Sequence, residues 1–287
     1  MISLQKGPRR FSGPIIKQGS ISHHAKKSLG QNFLVDGNIA RKIVDELQIS
    51  NCETVLEIGP GKGALTRLLV NKNSHVIAVE KDEQLYNSLQ EEFASVLQLD
   101  LINGDFIDYN FPFSNKMIKV VGNIPYNLTS AIVSKLVDFR SKINFALLMV
   151  QEEVADRLAA QPGTKAYGAI SVRLQLTAQV KKLFAVPPTC FQPKPKVDSR
   201  IVKIVFRRRE PLAEESKFVS FVKNAFGMRR KMLRHFVSHY YGKAAIEKLT
   251  ENLQPKRIET LAPEDIYALF SILSEESHPD ERIDRVK

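Results

Sequence analysis

Thr54-Val55-Leu56-Glu57-Ile58-Gly59-Pro60-Gly61-Lys62-Gly63-Ala64-Leu65 is the stretch that decides the fold. A buried-type strand, Thr54–Ile58, runs into three glycines, and Leu65, Leu68 and Leu69 then follow at helical spacing. Glycines there tolerate positive φ and let a ligand approach the backbone at a helix N-terminus. Upstream, Asp36 is placed to cap a helix with Ile39, Ile43, Val44 and Leu47 on one face. Downstream, strands at Val76–Val79, Val96–Ile102, Ile118–Val121 and Phe145–Val150 alternate with helices over Glu83–Phe93 and Thr129–Val137. Short apolar strands separated by amphipathic helices predict a doubly wound parallel α/β sheet covered on both faces. Gln151–Ala160 and Ala169–Ala178 read as further helices. Lys182–Val186 and Ile201–Phe206 read as late strands, an antiparallel pair around the proline-rich Pro187–Pro195.

After Arg207-Arg208-Arg209-Glu210-Pro211 the strand signals stop. Phe218, Phe221 and Val222, then Leu233, Phe236 and Val237, then Ile266, Leu269 and Phe270 sit at helical spacing instead. The expected organisation is a flexible basic tail over 1–21, an α/β domain over 22–209 and a small all-helical domain over 210–287. Of the 287 residues, 43% are hydrophobic and 25% charged, a globular mixture that excludes a disordered chain. No apolar run approaches the length of a membrane span. Two cysteines, Cys52 and Cys190, are too few for a disulfide framework or a four-ligand zinc site, and a reducing, cytoplasmic setting is expected.

The net charge is +11, and it is unevenly placed. Basic clusters at the N-terminus and over 207–242 flank a nearly neutral middle. That distribution suits a polyanion held by the flanks, although a solvated, solubilising surface produces the same count.

Three positions carry the chemistry. Glu80 ends the strand after the glycine loop, where a carboxylate in such folds accepts hydrogen bonds from ribose hydroxyls. Asp105, in Asn103-Gly104-Asp105-Phe106, follows the next strand and is placed either to accept from an adenine amine or to close an Asx turn. Gly122-Asn123-Ile124-Pro125-Tyr126-Asn127 follows Ile118–Val121. An asparagine side chain and a backbone carbonyl near Pro125 supply two acceptors for the N–H groups of an adenine amine, and Tyr126 supplies a ring on which a flipped base stacks. No metal is required, since positioning supplies most of the rate. The glycine loop also fits the looser G-x-G-x-x-G/A dinucleotide pattern through Gly59, Gly61 and Ala64, so a nicotinamide oxidoreductase stays open on the loop alone.

Asn123-Ile124-Pro125-Tyr126, with the glycine loop, Glu80 and Asp105, resembles the S-adenosylmethionine-dependent amino-methyltransferases and, more narrowly, the ribosomal RNA adenine dimethyltransferase family. Lys27-Ser28-Leu29-Gly30-Gln31-Asn32-Phe33-Leu34 resembles the family's N-terminal signature. Gln151–Leu158, Ala166–Val172 and Phe191–Ser199 resemble its middle and late segments, and the likeness runs over roughly residues 22 to 275. It implies a Rossmann-like methyltransferase sheet with a small C-terminal all-helical domain, and S-adenosylmethionine as cofactor. It also implies cofactor contacts from Asn32, Leu34, Gly59, Gly61, Glu80, Asp105 and Asn123. Asn123 and Pro125 would hold the target amine, with Tyr126 and Phe191 on either side of the base.

Ala166-Tyr167-Gly168 and Ala225–Arg234 favour the branch that dimethylates two adjacent adenines near the 3′ end of small-subunit rRNA during subunit maturation. The alternatives are the large-subunit dimethyltransferase of the macrolide-resistance type and a non-catalytic RNA-binding assembly factor. Lys27, Arg229, Arg230, Lys231 and Arg234 are the candidate RNA contacts. The expected partner is the rRNA of a pre-subunit particle, bound by a monomer without membrane or metal.

Overall fold

The computed structural model describes residues 31–72, 74–111, 117–125, 128–207 and 210–274. Its centre is a seven-stranded sheet. In chain order the strands and helices up to the turn are β1 (Phe33–Leu34), α1 (Gly37–Glu46), β2 (Thr54–Ile58), α2 (Thr66–Leu69), β3 (His75–Glu80), α3 (Glu83–Glu92), β4 (Leu99–Asn103) and β5 (Ile118–Asn123). Then follow α4 (Thr129–Asp138), β6 (Ile143–Gln151), α5 (Glu152–Leu158), α6 (Ala169–Thr177), β7 (Ala178–Val186), β8 (Phe191–Gln192) and β9 (Ser199–Phe206). The spatial order is β4-β3-β2-β5-β6-β9-β7. The first five of these strands are parallel, whereas β9 is antiparallel to both β6 and β7. The chain leaves β2 in one direction to build β3 and β4, then returns to build β5 and β6 on the other side. The point of reversal, between β2 and β5, is where such sheets open a crevice at the strand C-termini.

Strand alternation separates two apolar layers. Leu56 and Val120 point into the layer completed by Ile132, Val133 and Leu136 of α4. Val55 and Val121 point into the layer completed by Ile43 and Val44 of α1 and by Leu47 just after it. Asp36 caps α1 as its position suggests, accepting from the amides of Asn38 (2.8 Å) and Ile39 (3.0 Å). Beyond β9, α7 (Glu215–Gly227), α8 (Leu233–Tyr241) and α9 (Pro263–Ser274) bury Phe218, Phe236 and Phe270 in a third core. That core also takes in Ala160, Tyr167 and Val172, so the helical part is packed onto the α5–α6 connection rather than hung from a linker.

Several boundaries depart from the sequence reading. The late strands β7 and β9 are antiparallel as read, but β9 also lies between β7 and β6 and pairs antiparallel with β6, so the two join the parallel strands in one mixed sheet. The edge strand β7 starts at Ala178, directly after α6, and polar Gln179, Lys181 and Lys182 hide its alternation. Val96 is a buried turn residue and β4 starts at Leu99. The helix after the glycine loop is one turn, Thr66–Leu69, extended by a 3-10 turn through Lys72. The basic tail over 1–21 lies outside the described residues.

At the switch point Gly122 lets β5 lie close against β2. A Cβ on Gly122 would stand 2.9 Å from both the Cβ and the carbonyl oxygen of Ile58. Gly122→Ala is expected to cost about 1–3 kcal/mol, the usual penalty of overpacking a rigid core. Urea unfolding measures it, and an unchanged midpoint would show that the strands separate freely at this position.

Candidate active site

A cavity of about 250 Å³ opens at the C-terminal ends of β2, β3 and β5. Its floor is the glycine loop, its sides carry Glu80, Asp105 and Asn123, and Asn32, Phe33 and Leu34 form a wall. Sequence positions that lie more than ninety residues apart are thus brought to one place.

The loop's shape comes from its glycines and from a carboxylate. Gly59, Gly61 and Gly63 all have positive φ, and a Cβ on Gly61 would stand 3.2 Å from the Phe33 ring. Glu80 holds the loop: its Oε2 accepts from the Gly61 amide (2.9 Å) and its Oε1 from the Asp82 amide (2.8 Å). The residue is only 5% exposed, and burial raises its carboxyl pKa against those two bonds. Each carboxylate oxygen keeps lone-pair capacity toward the cavity, so Glu80 can shape the loop and still receive a ribose diol.

Beneath it lies Glu57, fully buried in β2, accepting from the Thr66 hydroxyl at 2.8 Å. Burial pushes its carboxyl up to about 7; the Thr66 bond opposes the shift and the neighbouring Glu80 adds to it. Glu57 had no role in the sequence reading. The signal was present as a lone carboxylate inside the apolar run Val55–Ile58.

Asp105 is at once a cavity residue and an Asx turn, since its Oδ1 accepts from the Ile107 amide at 2.9 Å. Its Oδ2 accepts from Lys81 Nζ at 2.7 Å. Partial burial raises the carboxyl, but the Lys81 ion pair and the Ile107 amide outweigh it and hold the group below its ordinary value. It is therefore an anionic acceptor at neutral pH.

Asn123 stands at the end of β5, and its Nδ2 donates to the carbonyl of Asn32 at 2.8 Å. That bond fixes the amide plane and leaves Oδ1 as the acceptor on the other side. The Pro125 carbonyl is already engaged by the Leu128 amide (3.0 Å) and the Thr129 hydroxyl (3.4 Å), which close the turn into α4. Tyr126 lies outside the described residues.

Phe191, expected to stack on the target base, does not line the cavity. It is 2% exposed and packs with Leu34, Cys190 and Ile201, away from the cavity lining. Its place is explained by pairing that was not legible in sequence: β8 is antiparallel to β1, with Leu34 opposite Phe191 and Phe33 opposite Gln192. The late proline-rich segment thereby holds the wall in which Asn32 sits.

Among the candidate RNA contacts, Arg229 is bound within the protein. Its Nε meets Glu259 at 2.6 Å and its guanidinium donates to the Lys165 carbonyl, tying the α7–α8 turn to the loops beside it. Arg230, Lys231 and Arg234 are exposed, while Lys27 lies outside the described residues. Among the described residues no group of three or more His, Cys, Asp or Glu side chains could hold a metal ion, and no helix is long and apolar enough to cross a membrane.

The family model for ribosomal RNA adenine dimethylases matches residues 22–275. A ribosomal RNA small subunit methyltransferase A from Chlorobaculum parvum is 41% identical over 256 residues, covering 88% of this chain and 91% of that protein. Its namesake from Mycoplasma mobile is 41% identical over 233 residues, 81% of this chain and 91% of that protein. Among solved structures, a dimethyladenosine transferase from Plasmodium falciparum aligns with a TM-score of 0.71 at 25% identity, over 85% of this chain and 98% of that one. The 23S rRNA methyltransferase ErmE aligns with a TM-score of 0.65 at 26% identity, over 84% and 99%.

The buried carboxylates give a pH signature. With native pKa values above the unfolded one, Glu57 and Glu80 keep protons that the unfolded chain has released. Stability therefore falls as pH rises from about 4.5 to about 7, by on the order of 3 kcal/mol for Glu57. Glu57→Gln should flatten that fall while keeping a partner for Thr66. Denaturant unfolding at pH 5 and pH 8 checks it, and equal losses in variant and wild type would contradict it.

Proposed function

The chain belongs to the ribosomal RNA adenine dimethylase family, and on that premise we propose that it transfers methyl groups from S-adenosylmethionine to adenine exocyclic amines of small-subunit rRNA. The targets in this reading are two adjacent adenines near the 3′ end, converted to dimethyladenosines during subunit maturation. The small-subunit assignment is supported by relatives bearing that name at 41% identity over most of their length, against 26% for the 23S enzyme.

The residues present fit the cofactor. Glu80 offers acceptors for a ribose diol, Asp105 an anionic acceptor for an adenine amine, and Gly59 and Gly61 an open cradle that the Phe33 ring bounds. Asn32 and Leu34 close the side. When bound, S-adenosylmethionine supplies an electrophilic methyl on a cationic sulfur.

The chain's own work is on the nucleophile. The amine of adenine is a poor nucleophile because its lone pair is delocalised into the ring. The Asn123 Oδ1, turned outward by the Asn32 bond, accepts one N–H of the flipped base. A main-chain carbonyl of the Ile124–Pro125 turn accepts the other. Because the Pro125 oxygen already serves Leu128 and Thr129, the Ile124 oxygen is the stronger choice. Two acceptors favour a pyramidal nitrogen with its lone pair exposed. Tyr126 stacks on the ring, and Phe191 supports the wall from behind. The base must leave its helix to enter, which selects a loop adenine presented by RNA shape. Arg230, Lys231 and Arg234 take the phosphate backbone.

The carrying observation is the oriented Asn123 amide at the cavity mouth. Asn123→Ala is expected to lower kcat for rRNA methylation by about 10²-fold or more, as misplacement of a reacting group does, with RNA affinity largely kept. Single-turnover methylation and filter binding on the same preparation read both. Undiminished methylation would refute the role.

A further inference from the structure

The two faces of the β6-β9-β7 edge handle charge differently. On the α5 face every strand cation has an acid: Lys182 meets Asp156 and Glu152, and Arg200 meets Glu152 at 2.6 Å. On the α1 face Lys181 and Lys203 stand directly opposite each other in the β7–β9 ladder. Like charges in that relation destabilise a sheet. Neither has a carboxylate partner among the described residues, nor does Lys42 on the exposed side of α1. Aromatic rings take the place of acids: Lys203 Nζ lies 4.4 Å from the Phe145 ring centroid and Lys42 Nζ 3.9 Å from that of Phe184. A ring steadies an ammonium group without cancelling its charge, whereas a carboxylate removes it from the long-range field. Arg207, held by Gln179 at the end of the same face, extends the row.

We propose that this face, with Lys42 over Phe184, Lys203 over Phe145, Lys181 opposite Lys203 and Arg207 at its end, is a second docking surface for the phosphodiester backbone of the RNA substrate. It is distinct from the cavity mouth and from the Arg230–Arg234 cluster. An uncompensated cross-strand lysine pair costs stability in the free protein, and phosphates are the partner that relieves it. The proposal rests on the RNA-modifying reading above and adds to it a footprint that runs along the flank of the sheet.

The test compares wild type, the triple variant Lys42→Gln, Lys181→Gln, Lys203→Gln, and a control, Lys182→Gln with Arg200→Gln, on the opposite face. Binding to a small-subunit rRNA transcript is followed as KCl is raised, with thermal unfolding in parallel. The triple variant should bind more weakly, lower the slope of log K against log salt by about 2 to 3, and melt no lower than wild type. The control should keep the wild-type slope. An unchanged slope in the triple variant, or an equal drop in the control, overturns the surface while leaving the proposed reaction standing. A wild type that binds no rRNA sinks both.

Discussion

The site depends on one hydrogen bond, from the side-chain amide of Asn123 to the backbone carbonyl of Asn32. An asparagine amide has a donor end and an acceptor end, and only the acceptor end is useful to an amine that must present its lone pair elsewhere. Committing Nδ2 to a main-chain oxygen leaves Oδ1 as the acceptor end of an amide that lines the cavity. Much of the surrounding architecture holds the bond's two partners still: Gly122 lets β5 lie against β2, and the β1–β8 pairing fixes the segment bearing Asn32.

Around that bond the electrostatics are arranged by depth. Glu57, deepest, is partly protonated near neutrality and acts as a hydrogen-bonding element of the floor. Glu80, nearer the cavity, spends one bond on each side of its carboxylate to shape the glycine loop. Asp105, at the rim, is kept ionised by Lys81. Carboxylates of graded exposure therefore give a floor of reduced charge and a charged rim, suited to a ligand whose sugar lies deep and whose base lies at the edge.

Most of the fold was legible because it rests on local periodicity. The strand–glycine–helix start, the α1 cap at Asp36 and the helical texture after 210 each follow from neighbours a few residues apart. The cavity residues Gly59, Gly61, Glu80, Asp105 and Asn123 were legible for a related reason: in a parallel sheet, strand C-termini converge, so position along the chain predicts position in space. What escaped was long-range. The β1–β8 pair joins segments about 157 residues apart, and nothing local in Phe191 shows that its ring is buried opposite Leu34 rather than set in the cavity wall. Arg229 escaped likewise, because a cation in a basic run reveals its acid only when Glu259 is seen beside it. The start of β7 was masked by lysines on an edge strand. The nicotinamide reading of the glycine loop, open from that loop alone, yields to the family match over residues 22–275.

The most direct measurement is a crystal structure of the protein with S-adenosylhomocysteine and a short RNA carrying the target adenine. The account predicts the extruded base at the cavity mouth, its exocyclic nitrogen within hydrogen-bonding distance (about 2.7–3.2 Å) of Asn123 Oδ1 and its lone-pair side turned toward the sulfur. A base seated elsewhere, or Asn123 rotated so that Nδ2 rather than Oδ1 meets it, would contradict the account.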